Sequence, residues 1–451
     1  MSPSAIKTYH WANTALFYYL LAILVWAPLP LASNRDWSTV LLAGLLLSAL
    51  LVCLLLMRLG HVQVTVALRR SRPALYALVA TQAWVLMQLT LGITVAPDST
   101  KLALLLGVAL VAAFVLVLLL VDSRRRILRI AQVMVGCAVF QAFFASAVMM
   151  SDLTQLPFLD KTFLRSSASG TYVNRNHLAG FLEMNLAIGI GMLVAQLHHH
   201  PANSWREFMR RTIDTLLSRK FRLRLYLVIM VVALVLTRSR MGNVAFFSSL
   251  LFCGAVGMVL QRRVTRGAVL FFVSLLLIDL YIVGKWFGVD EVVERLQRTT
   301  LATEKRDEVA RDSIAMWQDN FWLGTGADSF FQSYVYGGYM SPDSLYYRHA
   351  ENDYLEIGSG FGFIGFALLG TAVLTSLWQS FKAQRQRHSS LLQGLGLASA
   401  MGITSILIHS FTDFNLHIPA NSLWFIVLLA FAWVAVSGVE PQAPPGQNRP
   451  G

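Results

Sequence analysis

The feature that most constrains this chain is a series of apolar blocks of about 20 residues, each long enough as a helix to cross a hydrocarbon layer of about 30 Å. Only 14% of the 451 residues are charged, whereas soluble domains usually carry about a quarter. A backbone in contact with lipid must satisfy its own hydrogen bonds, so each block is predicted to be helical. The sequence therefore predicts a membrane protein and not a string of soluble domains.

Twelve apolar blocks predict an all-α polytopic membrane protein with about 12 transmembrane helices. The blocks lie at 13–32, 39–57, 73–94, 101–121, 127–149, 178–197, 223–237, 242–261, 267–288, 352–379, 391–409 and 419–437. We expect one membrane domain, 1–451, with a long and partly helical outer loop, 289–351, between helices 9 and 10. The proline-rich stretch 440–451 is expected to be a disordered cytoplasmic tail.

The basic residues predict the orientation in the membrane, because they cluster in alternate loops, which must share one side. The clusters are Arg58, Arg69, Arg70 and Arg72; Arg124, Arg125 and Arg126; Arg206, Arg210, Arg211, Arg219, Lys220, Arg222 and Arg224; Arg262, Arg263 and Arg266; and Lys382, Arg385 and Arg387. The positive-inside rule makes that side cytoplasmic, with both termini on it. This clustering accounts for the net charge of +13, so no nucleic-acid partner is predicted.

Five polar clusters, far apart in the sequence, fall on the predicted outer side of the membrane. Their candidate functional residues are Asn174, Arg175, Asn176 and His177; Arg238 and Arg240; Arg306 and Arg311; His349, Glu351, Asn352, Asp353 and Tyr354; and His409 and Asp413. This convergence on one side predicts a functional site there. No pair of these residues has a recognised metal-ligand spacing, so neither a metal nor another cofactor is predicted.

Four of the clusters also have a structural interpretation. Asn176 could simply cap the next helix, and Arg311 could belong to a solvated helix face. His349 and its acidic neighbours could cap a helix or supply a general base. Arg240 could reach lipid headgroups, but a guanidinium is also well shaped to bind a diphosphate, and we favour that role because Ser239 and Gly242 leave room beside it.

The region from Thr237 to Asn421 resembles the superfamily of O-antigen ligases and Wzy-type polysaccharide polymerases. The matching motifs are Ser239-Arg240, Arg306 upstream of Asp319-Asn-Phe-Trp-Leu-Gly-Thr-Gly326, Asn352-Asp-Tyr-Leu-Glu356 followed by Gly362-Phe-Ile-Gly365, His409-Ser-Phe-Thr-Asp413 and the upstream Gly170-Thr-Tyr-Val-Asn-Arg-Asn-His177. The resemblance implies a GT-C-like, metal-independent glycosyltransferase in the bacterial inner membrane.

By this resemblance, the donor is a glycan on undecaprenyl diphosphate and the acceptor is another glycan, both at the periplasmic face. Arg240 and Arg306 would bind the diphosphate and stabilise it as it leaves, while His349 or Glu351 would act as base. The remaining candidates would bind substrate. Membrane lipids and a chain-length regulator are the other partners that such an activity accommodates.

Two positions depart from the family pattern. Ligases usually have a histidine directly before the asparagine of the Asn-Asp-Tyr-Leu motif, and here that position is Glu351. Phe321 stands where proline is common. The first departure favours a polymerase that joins repeat units over a ligase that transfers glycan to lipid A core. A transporter of glycolipid or solute is a further alternative, and the scarcity of ionisable residues within the spans argues against it. A structural subunit of an envelope complex is another, and the arginine pair of Arg238 and Arg240 in so short a turn argues against that role.

Overall fold

The computed structural model describes residues 3–151, 155–156, 159–160, 167–196, 219–261, 273–274, 300–341 and 346–438. These residues are helical almost throughout. Two strands of two residues each, β1 (Gln155–Leu156) and β2 (Leu159–Asp160), pair antiparallel. The predicted all-α class is therefore confirmed.

Fourteen α-helices run through the described residues, and we number them in chain order. They are α1 (Pro3–Trp26), α2 (Asp36–Arg58), α3 (Val66–Arg70), α4 (Arg72–Thr90), α5 (Pro97–Leu120), α6 (Arg124–Met150), α7 (Arg175–Val194), α8 (Arg219–Leu236), α9 (Arg240–Gln261), α10 (Thr300–Asp319), α11 (Phe330–Tyr336), α12 (Asp353–Gln386), α13 (Ser390–His409) and α14 (Pro419–Ser437). Two short 3₁₀ helices, Leu31–Ser33 and Asn415–His417, precede α2 and α14.

Eight helices of the described residues are long and apolar enough to cross a bilayer, and the part of α1 from Trp11 to Trp26 is a shorter apolar segment. Pro97 and Pro419 begin two of the spans, at positions where a missing backbone N–H removes no helical hydrogen bond. The polytopic membrane fold is confirmed, whereas the count of twelve spans stays a prediction. The ninth predicted span, 267–288, lies outside the described residues except for 273–274.

Helices α7 and α14 form the centre of the bundle and are almost wholly buried. Helix α7 packs lengthwise on α13, and the two backbones nearly touch at a pair of glycines. A Cβ atom added to Gly191 would lie only 2.3 Å from the carbonyl oxygen of Gly394. Small residues allow helices to approach this closely in a membrane. Close packing matters there because lipid tails are as apolar as the helix surface, so the hydrophobic effect does little to bring helices together.

Helix α12 is interrupted at Gly362, whose φ of 67° is favourable for glycine alone. The outer-loop backbone pairs with this break: the N–H of Gly326 donates to the carbonyl of Gly360 at 2.9 Å, and the N–H of Phe363 donates to that of Phe321 at 2.7 Å. The rings of Phe321 and Phe363 stack, with centroids 5.3 Å apart. The Gly-Thr-Gly sequence is thus a site of close backbone approach.

The long outer loop has structure of its own. The prediction that it is partly helical is confirmed, because α10 and α11 lie within it. A small core joins these helices to the start of α12; its buried members are Val309, Met316, Phe330, Tyr334 and Ala350. The single-domain boundary and the loop boundary at 289 stay predictions, and the predicted tail, 440–451, lies outside the described residues.

The contact between α7 and α13 generates a stability prediction. Gly191→Ala should destabilise the purified protein by about 1–3 kcal/mol, because the new methyl group must displace backbone. Gly136→Ala is the matched control, since nothing lies within 4 Å of its added Cβ. That variant should be neutral or more stable by up to about 1 kcal/mol. Equal thermal midpoints for the two variants in detergent would contradict the close packing described here.

Candidate functional site

Three of the five predicted clusters meet at one end of the bundle, around the loop between α13 and α14. The side-chain amide of Asn176 donates to Oδ2 of Asp413 at 2.6 Å, and Nε2 of His177 lies 3.1 Å from the other carboxylate oxygen. The backbone N–H of Asp353 donates to the carbonyl of Asp413 at 3.1 Å. The starts of α7 and α12 are therefore tied to the same loop.

Asp413 is fully buried, and its surroundings keep it ionised. Burial alone would raise its pKa, but His177, His409 and Asn176 outweigh that effect and lower the pKa below its ordinary value. The N-cap of α7 is Asn174, whose side chain accepts from the N–H of Asn176. The expectation that Asn176 itself caps α7 is thus wrong: its side chain turns instead to Asp413.

The first turn of α12 forms a second junction. Asn352 is its N-cap, with Oδ1 accepting from the N–H groups of Tyr354 and Leu355. Asp353 accepts from the Ser410 hydroxyl at 2.7 Å and from Nδ1 of His417 at 3.0 Å. The hydroxyl of Tyr354 donates to the carbonyl of Leu407 at 2.6 Å.

Glu356, one turn into α12, lies between two histidines. Nδ1 of His349 is 2.7 Å from Oε1 of Glu356, and the N–H of Ala350 donates to Oε2 at 2.9 Å. Nε2 of His417 lies 3.5 Å from Oε1 on the other side. The ring of Phe414 stacks on His349 with centroids 4.0 Å apart, which fixes the imidazole plane. Glu356 is buried, while His349 is 29% exposed, so this pair reaches the solvent through its histidine.

His417 carries the positive charge of this junction. Burial by itself would lower its pKa, but the carboxylates of Glu356, Asp353 and Asp328 raise the pKa to about 10. His417 is therefore an imidazolium ion at neutral pH, and it balances carboxylates that would otherwise repel one another.

A further pair lies deeper in the bundle. Nδ1 of His409, at the end of α13, is 2.8 Å from Oε1 of Glu183 on α7, and the Ser405 hydroxyl donates to Oε2 at 2.6 Å. A Cβ added to Gly242 would lie 3.0 Å from Oε1 of Glu183, so the start of α9 rests on this pair. The turn that carries Arg240 is thereby positioned next to the site.

The predicted arginines are more loosely placed than the acids and histidines. Arg175, Arg238, Arg240 and Arg311 are exposed, and Arg240 makes no ion pair within the described residues. Arg238 takes a left-handed backbone conformation, φ 54°, in the tight turn before α9. The backbone of Arg306 lies in α10, but its side chain is outside the described part. The placement of Arg306 and Arg311 beside the other clusters therefore stays a prediction.

Three residues of this end were not among the predicted site residues. Glu356 follows Asp353 by one helical turn, and that spacing could have identified it, since residues three apart share a helix face. Glu183 could have been identified as an acid within an apolar span. His417 follows Asp413 in the fifth polar cluster, and that position was its signal, but its partners come from another helix and could not be read from the sequence. Among the described residues, no three His, Cys, Asp or Glu side chains are placed to hold a metal ion.

Comparison with known families identifies a domain in the part of the chain that carries Arg240 and His349. Residues 225–370 match a family model described as O-antigen ligase. These residues form an O-antigen ligase domain. The predicted resemblance is confirmed for these residues, and the O-antigen ligase family implies lipid-linked glycan substrates. The chain as a whole is a multi-pass membrane protein. A search of curated proteins gave no match.

The O-antigen ligase domain covers only part of the site. It contains Arg240, the outer loop and the start of α12, with His349 and Glu356. The cap of α7 and the loop between α13 and α14 lie outside the matched residues, yet they supply Asn176, Asp413 and His417. The junction at this end is therefore built jointly by matched and unmatched parts of the chain.

The raised pKa of His417 generates a pH prediction. Its contribution to stability should be fully present below about pH 6.5, the ordinary histidine pKa, and should be lost as pH rises through about 10. Thermal midpoints of the purified protein should fall across this window. His417→Gln should lower the midpoint at pH 7 and flatten the decline. His388→Gln, at an exposed position beyond α12, should show the same pH dependence of the thermal midpoint as the wild type. The same dependence in His417→Gln would contradict the assigned charge.

Proposed function

We propose that this protein is a polysaccharide polymerase that joins undecaprenyl-diphosphate-linked repeat units at the periplasmic face of the bacterial inner membrane. The donor glycan leaves its diphosphate, and the acceptor is the free end of another glycan. The O-antigen ligase domain supports this general class. The transfer of finished glycan to lipid A core, as a ligase, is the alternative.

The observation that carries the proposal is the contact between His349 and Glu356. A buried carboxylate that accepts the Nδ1–H of an imidazole favours the tautomer in which Nε2 holds the lone pair. Because His349 is partly exposed, that nitrogen can meet an acceptor hydroxyl. We assign the base to His349, because a buried carboxylate lies behind it and the Phe414 ring packs against its face. Glu351 is the alternative base.

In the proposed reaction, the acceptor hydroxyl gives its proton to Nε2 of His349 as its oxygen attacks the anomeric carbon. The bond from that carbon to the diphosphate breaks, and the electron pair leaves with the phosphate oxygen. Arg240 and Arg306 stabilise the charge that develops there. Attack opposite the leaving group inverts the anomeric configuration.

The opposite end of the bundle supports the orientation. There Arg70 and Arg387 donate to the carbonyl of Val436, at 3.2 and 2.9 Å, at the end of α14. Basic residues in short loops favour the cytoplasmic side. The end that holds His349 is then periplasmic, where lipid-linked repeat units are presented.

Glu351 supports a polymerase over a ligase, because it replaces the histidine that ligases usually have at this position. The deciding measurement is the size of undecaprenyl-linked glycans in a bacterium from which this gene is deleted. Single repeat units without longer chains are expected. Long lipid-linked polymer that never reaches its final carrier would instead identify a ligase, and an unchanged glycan profile would exclude both.

The assigned base generates a second prediction. His349→Gln should reduce transfer by about 10²- to 10⁴-fold, the usual contribution of a general base. Binding of undecaprenyl diphosphate should persist, because the arginines remain. His388→Gln is the matched control and should retain wild-type activity. If His349→Gln kept wild-type turnover and Glu351→Gln lost activity, Glu351 and not His349 would be the base.

A further inference from the structure

Asp328 lies in a loop that is held on three sides. The carbonyl of the neighbouring Ala327 accepts a hydrogen bond from the Thr100 hydroxyl at 2.7 Å, and the N–H of Ala327 donates to the side chain of Gln88 at 3.2 Å. The N–H of Gly326 donates to the carbonyl of Gly360 at 2.9 Å. Asp328 itself has a φ of 57°, a conformation that costs a residue with a Cβ free energy. The flanking contacts hold it there.

This placement brings Asp328 to the site on the face of α12 that carries Glu356. Gly360 lies one turn beyond Glu356 on the same helix face. The N–H of Asp328 is 3.8 Å from where a Cβ on Gly360 would be. The backbone of Asp328 thus lies beside the turn of α12 that follows Glu356, and the charges of His417, Glu356 and His349 are near enough to influence the pKa of Asp328.

The carboxylate of Asp328 is available to a ligand. Its side chain is exposed, and it makes no hydrogen bond or ion pair to the described part of the chain. Protein encloses it on most sides, and this partial burial, with the charge of Glu356, raises its pKa against the opposing effect of His417 and His349. An acid in such a recess has lost part of its hydration, so hydrogen bonds from the hydroxyl groups of a ligand would stabilise it.

We propose that Asp328 binds hydroxyl groups of the acceptor sugar and holds that sugar beside His349. The inference deepens the proposed function and rests on it. A carboxylate has two acceptor oxygens and can take hydrogen bonds from two neighbouring hydroxyls. The exposed arginines would bind the negative diphosphate of the donor. Positive side chains would thus bind the donor, and a negative side chain would bind the acceptor.

The same charge defines the class of acceptor. The ring that Asp328 binds presents hydroxyl donors, and a uronic acid at that position is disfavoured because two carboxylates would face each other. Asp328 does not take the transferred proton, which goes to His349. It is an acceptor-binding residue, and its loss should weaken acceptor binding more than it slows the chemical step.

The test uses the full-length protein in detergent, with lipid-linked repeat unit extracted from the host bacterium as donor. An alkyl glycoside of one repeat unit, which has no diphosphate, can serve only as acceptor. Asp328→Asn retains a shape that tolerates the left-handed conformation but removes the charge. The KM for the acceptor should rise about 10- to 100-fold, as expected for hydrogen bonds to a charged group, with kcat and the KM for the donor little changed.

Two further variants keep the result interpretable. Asp328→Gly removes the carboxylate and relieves the backbone conformation, so it should fold at least as well as wild type and show the same rise in acceptor KM. Asp98→Asn, an exposed acid paired with Lys101, is the matched control and should behave as wild type. An unchanged acceptor KM in both Asp328 variants would overturn the inference. A wild-type protein without transfer activity would instead overturn the proposed function.

Discussion

The placement of Glu356 between His349 and His417 is the interaction on which this end of the molecule depends. A buried carboxylate is costly unless it is paired and hydrogen-bonded. Glu356 meets this requirement with two imidazoles and one backbone N–H. Because His417 also binds Asp353, one positive ring serves two carboxylates of the same helical turn. Removing it would leave two like charges buried side by side.

This pairing connects elements that are distant in the sequence. His417 comes from the loop before α14, His349 from the end of the outer loop, and the acids from α12. A parallel arrangement joins His177 and Asn176 of α7 to Asp413, and Glu183 joins His409 below them. The functional side chains are thus held by charge pairs between helices, while glycines such as Gly191 let those helices approach closely.

Much of this architecture could be predicted from the sequence, because span length and the distribution of arginines are local properties. They sufficed for the membrane class and for the expectation that distant polar clusters share one end of the bundle. The partner of each charge could not be predicted, since the contact of His417 with Asp353 crosses 64 positions and depends on how α12 and α14 pack. Asp328 escaped detection because its importance arises from a loop conformation fixed by Gln88 and Gly360, which no motif records.

The most direct test of the central claim is a structure of the purified protein bound to undecaprenyl diphosphate, the donor's leaving group. We expect the diphosphate at the start of α9, within hydrogen-bonding distance of Arg240, with the bare phosphate end directed toward His349. A headgroup bound at the arginine-rich end near Arg70 and Arg387, or on the lipid-facing surface away from α9, would contradict the assignment of this junction as the transferase site.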